Sequence, residues 1–323
     1  MGWVPALQKC FSSISSGRED RLYWGHSMKD QRIAVIGASG QVAQALARAG
    51  AARGVPLIVS GRPDVDINDL DSLSRLFADH RPELVINAAA YTAVDKAEND
   101  QEAAYSANEQ GPARLAVLCQ ATGAALIHIS TDYVFDGHKR TPYLEDDARN
   151  PQSVYGVTKS AGEDAIRTAL PSHAIFRTAW VYGPDGQNFL KTMLRLGAER
   201  DEVRVLGDQF GTPTPADVVA GTILDIAPRL LNDGDKDNLW GTYHLTSLGE
   251  TSWHGFANEI FAQAALAGSK VPRLHAITTE DYPTAAKRPQ YSVLDTSKLR
   301  KTFGVVLPDW RPGVANCVKR LAH

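Results

Sequence analysis

The stretch IAVIGASGQVAQAL, beginning at Ile33, constrains the fold more than any other part of this 323-residue chain. Four apolar residues run without a break, as in a strand buried on both faces. Gly37 and Gly40 follow in the spacing G-x-x-G-x-x-A, with Ala43 third, and an Ala-rich helical segment (41–54) begins at once. Gly37 allows a tight turn. Gly40 lets a pyrophosphate approach the backbone at the positive end of a helix, and Ala43 suits close helix–strand packing. A glycine pattern alone is a weak signal. Between a strand and a helix, at the head of an alternating chain, it points to a dinucleotide site.

The alternation continues. Strands are expected at 32–36, 56–60, 83–90, 125–130 and 174–183. Helices are expected at 41–54, 69–80 and 103–123, the last disturbed by Pro112, and around Tyr155. Strands alternating with helices make βαβ units, hence an α/β fold of the Rossmann type: a doubly wound parallel sheet with helices over both faces. Beyond residue 184 the pattern loosens. Helices are expected at 186–200, 215–231 and 252–266, a short strand at 243–246, a charged turn at 232–238 and a Pro-punctuated tail. The expected organisation is a leader (1–29) without periodic structure, a dinucleotide-binding part (30–185) to which 215–246 returns, and a smaller substrate-binding α/β cap (186–214 and 247–323).

Composition excludes several classes. A net charge of −3 gives no electrostatic footprint for nucleic acid or an anionic membrane surface. No apolar run approaches the ~20 residues of a membrane span. Cys10, Cys119 and Cys317 are odd in number and in no ligand spacing, so neither a disulfide framework nor a metal site is expected, and a cytoplasmic location fits.

The segment expected to end the second strand reads VSGRPDVDI. No acid stands at its tip to bind a ribose 2′-hydroxyl, and Arg62 is suited to a 2′-phosphate. That favours NADPH, although Asp66 leaves NADH open. The third and fourth strands run into NAAAYTAVD and STDYVFDG, at the carboxyl ends where open α/β sheets take ligands. Ala88, Ala89 and Ala90 allow close approach of a cofactor, and Thr131 projects a hydroxyl there.

The segment PQSVYGVTKSAGE holds Tyr155 and Lys159 four residues apart, on one face of a helix. Chance alone supplies about 0.4 such pairs in a chain of this composition, so the bare spacing is weak. As chemistry it makes sense: a phenol of pKa ~10 is a poor acid at neutral pH, and a neighbouring ammonium lowers its pKa. The pair then forms a tuned acid beside a reacting carbonyl, with Thr131 as second hydrogen-bond donor.

Gly37-x-x-Gly40, Asn87-Ala88-Ala89, Thr131, Tyr155 and Lys159 occur in the order of the extended short-chain dehydrogenase/reductases, which this chain resembles. The longer strings AAAYTAVDKAE, STDYVFDG, VYGVTKSAGE, FRTAWVYG, NFLKTMLRL, DQFGTPT and RPQYSVLDTSKL resemble the dTDP-4-dehydrorhamnose reductase family from about residue 32 to 310. The resemblance implies NADPH-dependent reduction, with NADH accepted in some members, of the C4 ketone of a dTDP-sugar, dTDP-4-dehydro-β-L-rhamnose. It implies Tyr155 as proton donor, Lys159 as its helper and a ribose contact, and Thr131 as orienter of the carbonyl. It also implies a cofactor site of Gly37, Ser39, Gly40, Gln41, Val42, Arg62, Asp66, Ile67, Ala88, Ala89, Ala90, Thr92, Tyr155 and Lys159. For the substrate it implies Val94, Asp132, Tyr133 and Trp180 about the sugar, and Asn188, Gln209, Thr212 and Arg288 about the diphosphate. Some members carry Mg2+ between subunits and some are homodimers. The sequence shows no compact acid cluster for the ion and no clear interface. Two other readings share these residues: a different nucleotide-sugar 4-ketoreductase, and a non-enzymatic subunit like the regulatory β subunit of methionine adenosyltransferase.

Overall fold

The computed structural model describes residues 31–233 and 238–322. The 1–29 leader lies outside the described residues, as does most of the 232–238 turn.

Five strands come in succession: β1 (Ile33–Ile36), β2 (Leu57–Ser60), β3 (Leu84–Asn87), β4 (Ala125–Thr131) and β5 (His173–Thr178). Four more follow: β6 (Val181–Tyr182), β7 (Glu202–Leu206), β8 (Phe210–Gly211) and β9 (Thr214–Pro215). Then come β10 (Gly241–His244), β11 (Thr251–Ser252) and β12 (Arg273–Ile277). The central sheet has six parallel strands in the order β10-β5-β4-β3-β1-β2. From β1 the chain steps outward to β2, then crosses to β3 on the other side of β1. The crevice at that switch point is where such sheets take ligands.

Register sets which residues meet there. Ile36 is level with both Ser60 and Asn87, and Thr131 with Thr178. Residues leaving these strands therefore emerge along one edge. Along β1, Ile33 and Val35 enter one apolar cluster, and Ala34 and Ile36 the other. The first cluster is covered by the helices Gln41–Arg53 and Ala216–Asp233, the second by Leu70–His80 and Gly111–Thr122. Each fully buried aliphatic chain contributes about 1.5–3 kcal/mol.

The expected 103–123 helix is three segments: α-helix Gln101–Tyr105, a π-turn Ser106–Gln110, and α-helix Gly111–Thr122. In a regular helix the Pro112 ring collides with the carbonyl four residues back, that of Asn108. The wider π-turn accommodates it. The displaced carbonyl meets the helix Val154–Ala169 at Gly162, where a Cβ would lie 2.0 Å from Asn108 O. Only glycine admits that approach.

The expected 174–183 strand is broken into β5 and β6, with Trp180 between them at φ +46°. A separate apolar cluster gathers Leu190, Met193, Val203, Phe256, Ile260 and Trp310 from the looser half of the chain. The Pro-rich tail contains two helices the sequence pattern did not reveal, Ser297–Phe303 and Arg311–Leu321.

Candidate active site

A cleft of about 880 Å³ runs along the carboxyl edge of the sheet. Its floor begins at Gly37, whose φ of +108° suits glycine alone and where a Cβ would lie 2.7 Å from Ala89 N. Turn and Ala-rich loop thus touch backbone to backbone. The helix Gln41–Arg53 starts at the next turn, its free N–H groups at the cleft wall. A close backbone cradle on a helix N-terminus fits a pyrophosphate. Ser39, Gly40, Gln41, Val42, Arg62, Asp66, Ile67, Ala88, Ala89, Ala90 and Thr92 all line this cleft. β2 ends at Ser60 with Arg62 exposed just beyond, while Asp66 Oδ1 already accepts from Asn68 N at 2.9 Å.

The far end holds the reactive groups. Ser153 caps the helix Val154–Ala169 by accepting from Gly156 N at 3.2 Å. That cap fixes Tyr155 in the first turn and Lys159 one turn on, both on the cleft wall. Thr131, at the tip of β4, lines the same cleft wall as Tyr155. Its own hydroxyl donates to Asp132 Oδ1 at 3.0 Å. The Tyr133 ring meets Tyr155 edge-on, centroids 5.5 Å apart.

The electrostatics differ from the sequence expectation. Burial pushes the Tyr155 hydroxyl up to about 12, with Thr131 opposing and the Asp132 charge adding. The reason is where the amine points: Lys159 Nζ donates to Ile129 O at 2.6 Å and sits 3.1 Å from His128 Nε2. Burial brings Lys159 down to about 8, opposed by Glu163. Burial also lifts Asp132 to about 6, opposed by the Ser292 and Thr131 hydroxyls. Asp132 Oδ2 and Thr178 Oγ1 are buried in the cleft wall without a hydrogen-bond partner among the described residues. Such atoms are costly unless a ligand satisfies them.

Beneath the helix, the fully buried Glu163 accepts from Arg177 Nε at 3.0 Å and Nη2 at 2.8 Å, from Arg167 Nη2 at 2.7 Å and from Ser130 Oγ at 2.5 Å. This network pins the helix bearing Tyr155 to β4 and β5. Trp180 stacks on Trp253, centroids 3.5 Å and planes 5° apart. Its left-handed backbone costs on the order of 1–3 kcal/mol and turns the indole into the cleft wall.

Val94, Asp132, Tyr133, Trp180 and Asn188 share this cleft. Asn188 also donates to Gln41 Oε1 at 2.9 Å and Gly183 O at 2.8 Å. Gln209, Thr212 and Arg288 are not among the lining residues. Gln209 donates to Thr279 Oγ1 at 3.1 Å, Thr212 is buried, and Arg288 is paired with Asp95 at 2.5 Å. Lining residues that sequence reasoning missed include Ser130, Thr178 and Trp253. A polar His128 within the apolar run ALIHIS was a visible sign of the groups behind Lys159. Among the described residues no group of three or more His, Cys, Asp or Glu is placed to hold a metal ion. No described helix is long and apolar enough to cross a membrane.

A parallel six-stranded sheet, a glycine cradle and a Thr–Tyr–Lys set in one cleft define a dinucleotide-dependent oxidoreductase of the short-chain dehydrogenase/reductase type. The model of the RmlD substrate binding domain family matches residues 31–323. The dTDP-4-dehydrorhamnose reductase of Sinorhizobium fredii is 42% identical over 287 residues, covering 89% of this chain and 96% of that protein. The crystal structure of a dTDP-4-dehydrorhamnose reductase from Clostridium acetobutylicum aligns with a TM-score of 0.83 at 38% identity, over 91% of this chain and 100% of the other. The Bacillus anthracis counterpart, in complex with NADP, aligns with a TM-score of 0.82 at 34% identity, over 90% and 99%. The chain belongs to the dTDP-4-dehydrorhamnose reductase family.

Proposed function

We propose that this chain reduces the C4 ketone of dTDP-4-dehydro-β-L-rhamnose to give dTDP-L-rhamnose, with NADPH as reductant. The observation that carries the reading is the meeting of Thr131, Tyr155, Lys159 and Trp180 with the glycine cradle in one cleft. NADPH, when bound, supplies the hydride. The cradle from Gly37 to Val42 holds its pyrophosphate, and Arg62, with no acid at the β2 tip, takes the 2′-phosphate. Tyr155, held protonated by its raised pKa, gives its proton to the C4 oxygen. Thr131 orients that oxygen. Lys159 contacts the ribose and, once charged in the ligand-bound enzyme, restores the tyrosine's proton. Asp132, through its unpartnered Oδ2, Tyr133, Val94 and Trp180 hold the sugar. The diphosphate contacts of the proposal are assigned to Asn188, Gln209, Thr212 and Arg288. For Arg288 the support is an Nη1 buried without a partner among the described residues.

The dinucleotide part comprises 30–185 with 215–246, and 186–214 with 247–323 closes the sugar side. This division is supported by the separate apolar cluster around Phe256. A cytoplasmic location, supported by free buried Cys119 and Cys317, and a homodimer complete the proposal.

The test is NADPH oxidation with the keto-sugar generated in the same tube by the upstream dehydratase and epimerase. Wild type turns over. Tyr155→Phe loses about 10²–10⁴-fold in kcat while NADPH affinity stays within about twofold. Binding of NADPH without turnover on this substrate would overturn the reading.

A further inference from the structure

Asn87 and His128 sit directly behind Lys159 and belong to no step above. All three side chains are at most 1% exposed. Ala89 N donates to Asn87 Oδ1 at 3.1 Å, which fixes the oxygen end of that amide. Asn87 Nδ2 then donates to His128 Nδ1 at 3.0 Å. A neutral imidazole carries one proton, so here it stands on Nε2, 3.1 Å from Lys159 Nζ. An ammonium has three donors and no acceptor, and it faces this N–H donor to donor. A neutral amine has a lone pair that accepts from Nε2 and keeps an N–H for Ile129 O.

We propose that Asn87 and His128 are positioning residues which, by presenting a donor at His128 Nε2, hold Lys159 as the neutral amine before ligands bind. The inference rests on the reading of Lys159 as a member of the reacting set. Burial, with Arg167 and His173 adding and Glu163 opposing, keeps His128 well below its ordinary pKa and the ring neutral. Burial likewise brings Lys159 down to about 8, and the Nε2–H donor facing it favours the neutral amine further. Glu163, one turn along the same helix, favours the ammonium, but its charge is shared by Arg177 from β5, by Arg167 on its own helix and by Arg149 from the preceding loop. Tyr155, on the same helix, is held as the neutral phenol. Asp132 stands at the tip of β4 beside Thr131.

Charging Lys159 takes one proton from solvent. It also requires the His128 proton to stand on Nδ1 and the Asn87 amide to turn over, which releases Ala89 N–H into the cradle wall. The lysine's proton and a cradle donor are therefore coupled, and the coupling is reciprocal.

The imidazole ¹⁵N spectrum of histidine-labelled enzyme, without ligands at pH 7, reads the tautomer directly. The expected result is neutral His128 protonated at Nε2. An Nδ1–H tautomer or an imidazolium overturns the proposal. Asn87→Asp supplies two acceptor oxygens, one for Ala89 N–H and one for His128 Nδ1–H, so Nε2 becomes an acceptor. Lys159, followed by its ¹³Cε signal, should then bind protons at least tenfold more tightly, and the corresponding limb of the kcat–pH profile should move with it. Lost activity with an unmoved profile would mean a merely structural role. If Asn87→Asp does not fold, the wild-type tautomer still decides. Because the spectra need no substrate, they stand apart from the keto-sugar assay, whose failure would sink the proposed reaction and leave the tautomer result intact.

Discussion

Replacing Glu163 by glutamine keeps the shape of the side chain and removes one buried charge. The loss strands the Arg177 guanidinium, 1% exposed, which makes two hydrogen bonds to that carboxylate. Breaking one side of a buried pair costs about 3–5 kcal/mol. An independent route gives a similar figure. Despite burial, the hydrogen bonds and charges of Arg177 and the charge of Arg167 bring Glu163 from 4.5 down to about 2. At 1.36 kcal/mol per pKa unit that is worth about 3 kcal/mol. The folded pKa is depressed, so this contribution is complete above pH 4.5 and fades as the pH falls toward 2. By linkage it is roughly halved at pH 3. Calorimetric melting of wild type and Glu163→Gln is the assay. At pH 7 the variant should melt lower by about 6 °C or more, taking ~2 °C per kcal/mol for a chain this long. At pH 3 the gap should shrink by about half. A gap below ~1 kcal/mol at pH 7, or one indifferent to pH, would refute the argument that the Glu163 charge contributes about 3 kcal/mol to the folded state.

Two further outcomes follow from the cofactor end of the cleft. Gly37→Ala places a methyl 2.7 Å from Ala89 N at a φ of +108°, and should cost at least about 1–3 kcal/mol in melting stability and weaken NADPH binding measured by fluorescence titration. Arg62→Asp should lower kcat/KM for NADPH by about 10–100-fold relative to NADH, since a charge-assisted phosphate contact of ~1.5–3 kcal/mol is removed; an unchanged ratio would remove Arg62 from cofactor choice.

The sheet was readable from the sequence wherever one local cause acts. β1 is a continuous apolar run and Gly37 marks a turn; each states its structure within a few residues. The disturbance at Pro112 was also legible, because a missing N–H needs no tertiary partner. Its form, a π-turn docked on Gly162, was not, since it depends on a helix about fifty residues away. Two-residue strands such as β8 and β11 are held by pairing across the chain and leave no periodicity behind. At the site, spacing placed Tyr155 and Lys159 on one face. It could not say that Lys159 turns toward His128, and so the expectation of a lowered tyrosine pKa gave way to a raised one. Trp253 escaped notice because its partner, Trp180, precedes it by seventy-three positions and meets it through an unusual backbone angle.

The strand order also sets a timetable for synthesis. β5 emerges with its outer edge unpaired, and its partner β10 follows only after residues 179–240. The helix Ala216–Asp233, which covers one face of the sheet beside Gln41–Arg53, lies in the same interval. At about 5–20 residues per second, a nascent chain holds an open parallel edge and an uncovered apolar face for roughly 3–12 s. Throughout that interval the half-made sheet is a ready partner for another unfinished copy, so the hazard for this protein falls during translation.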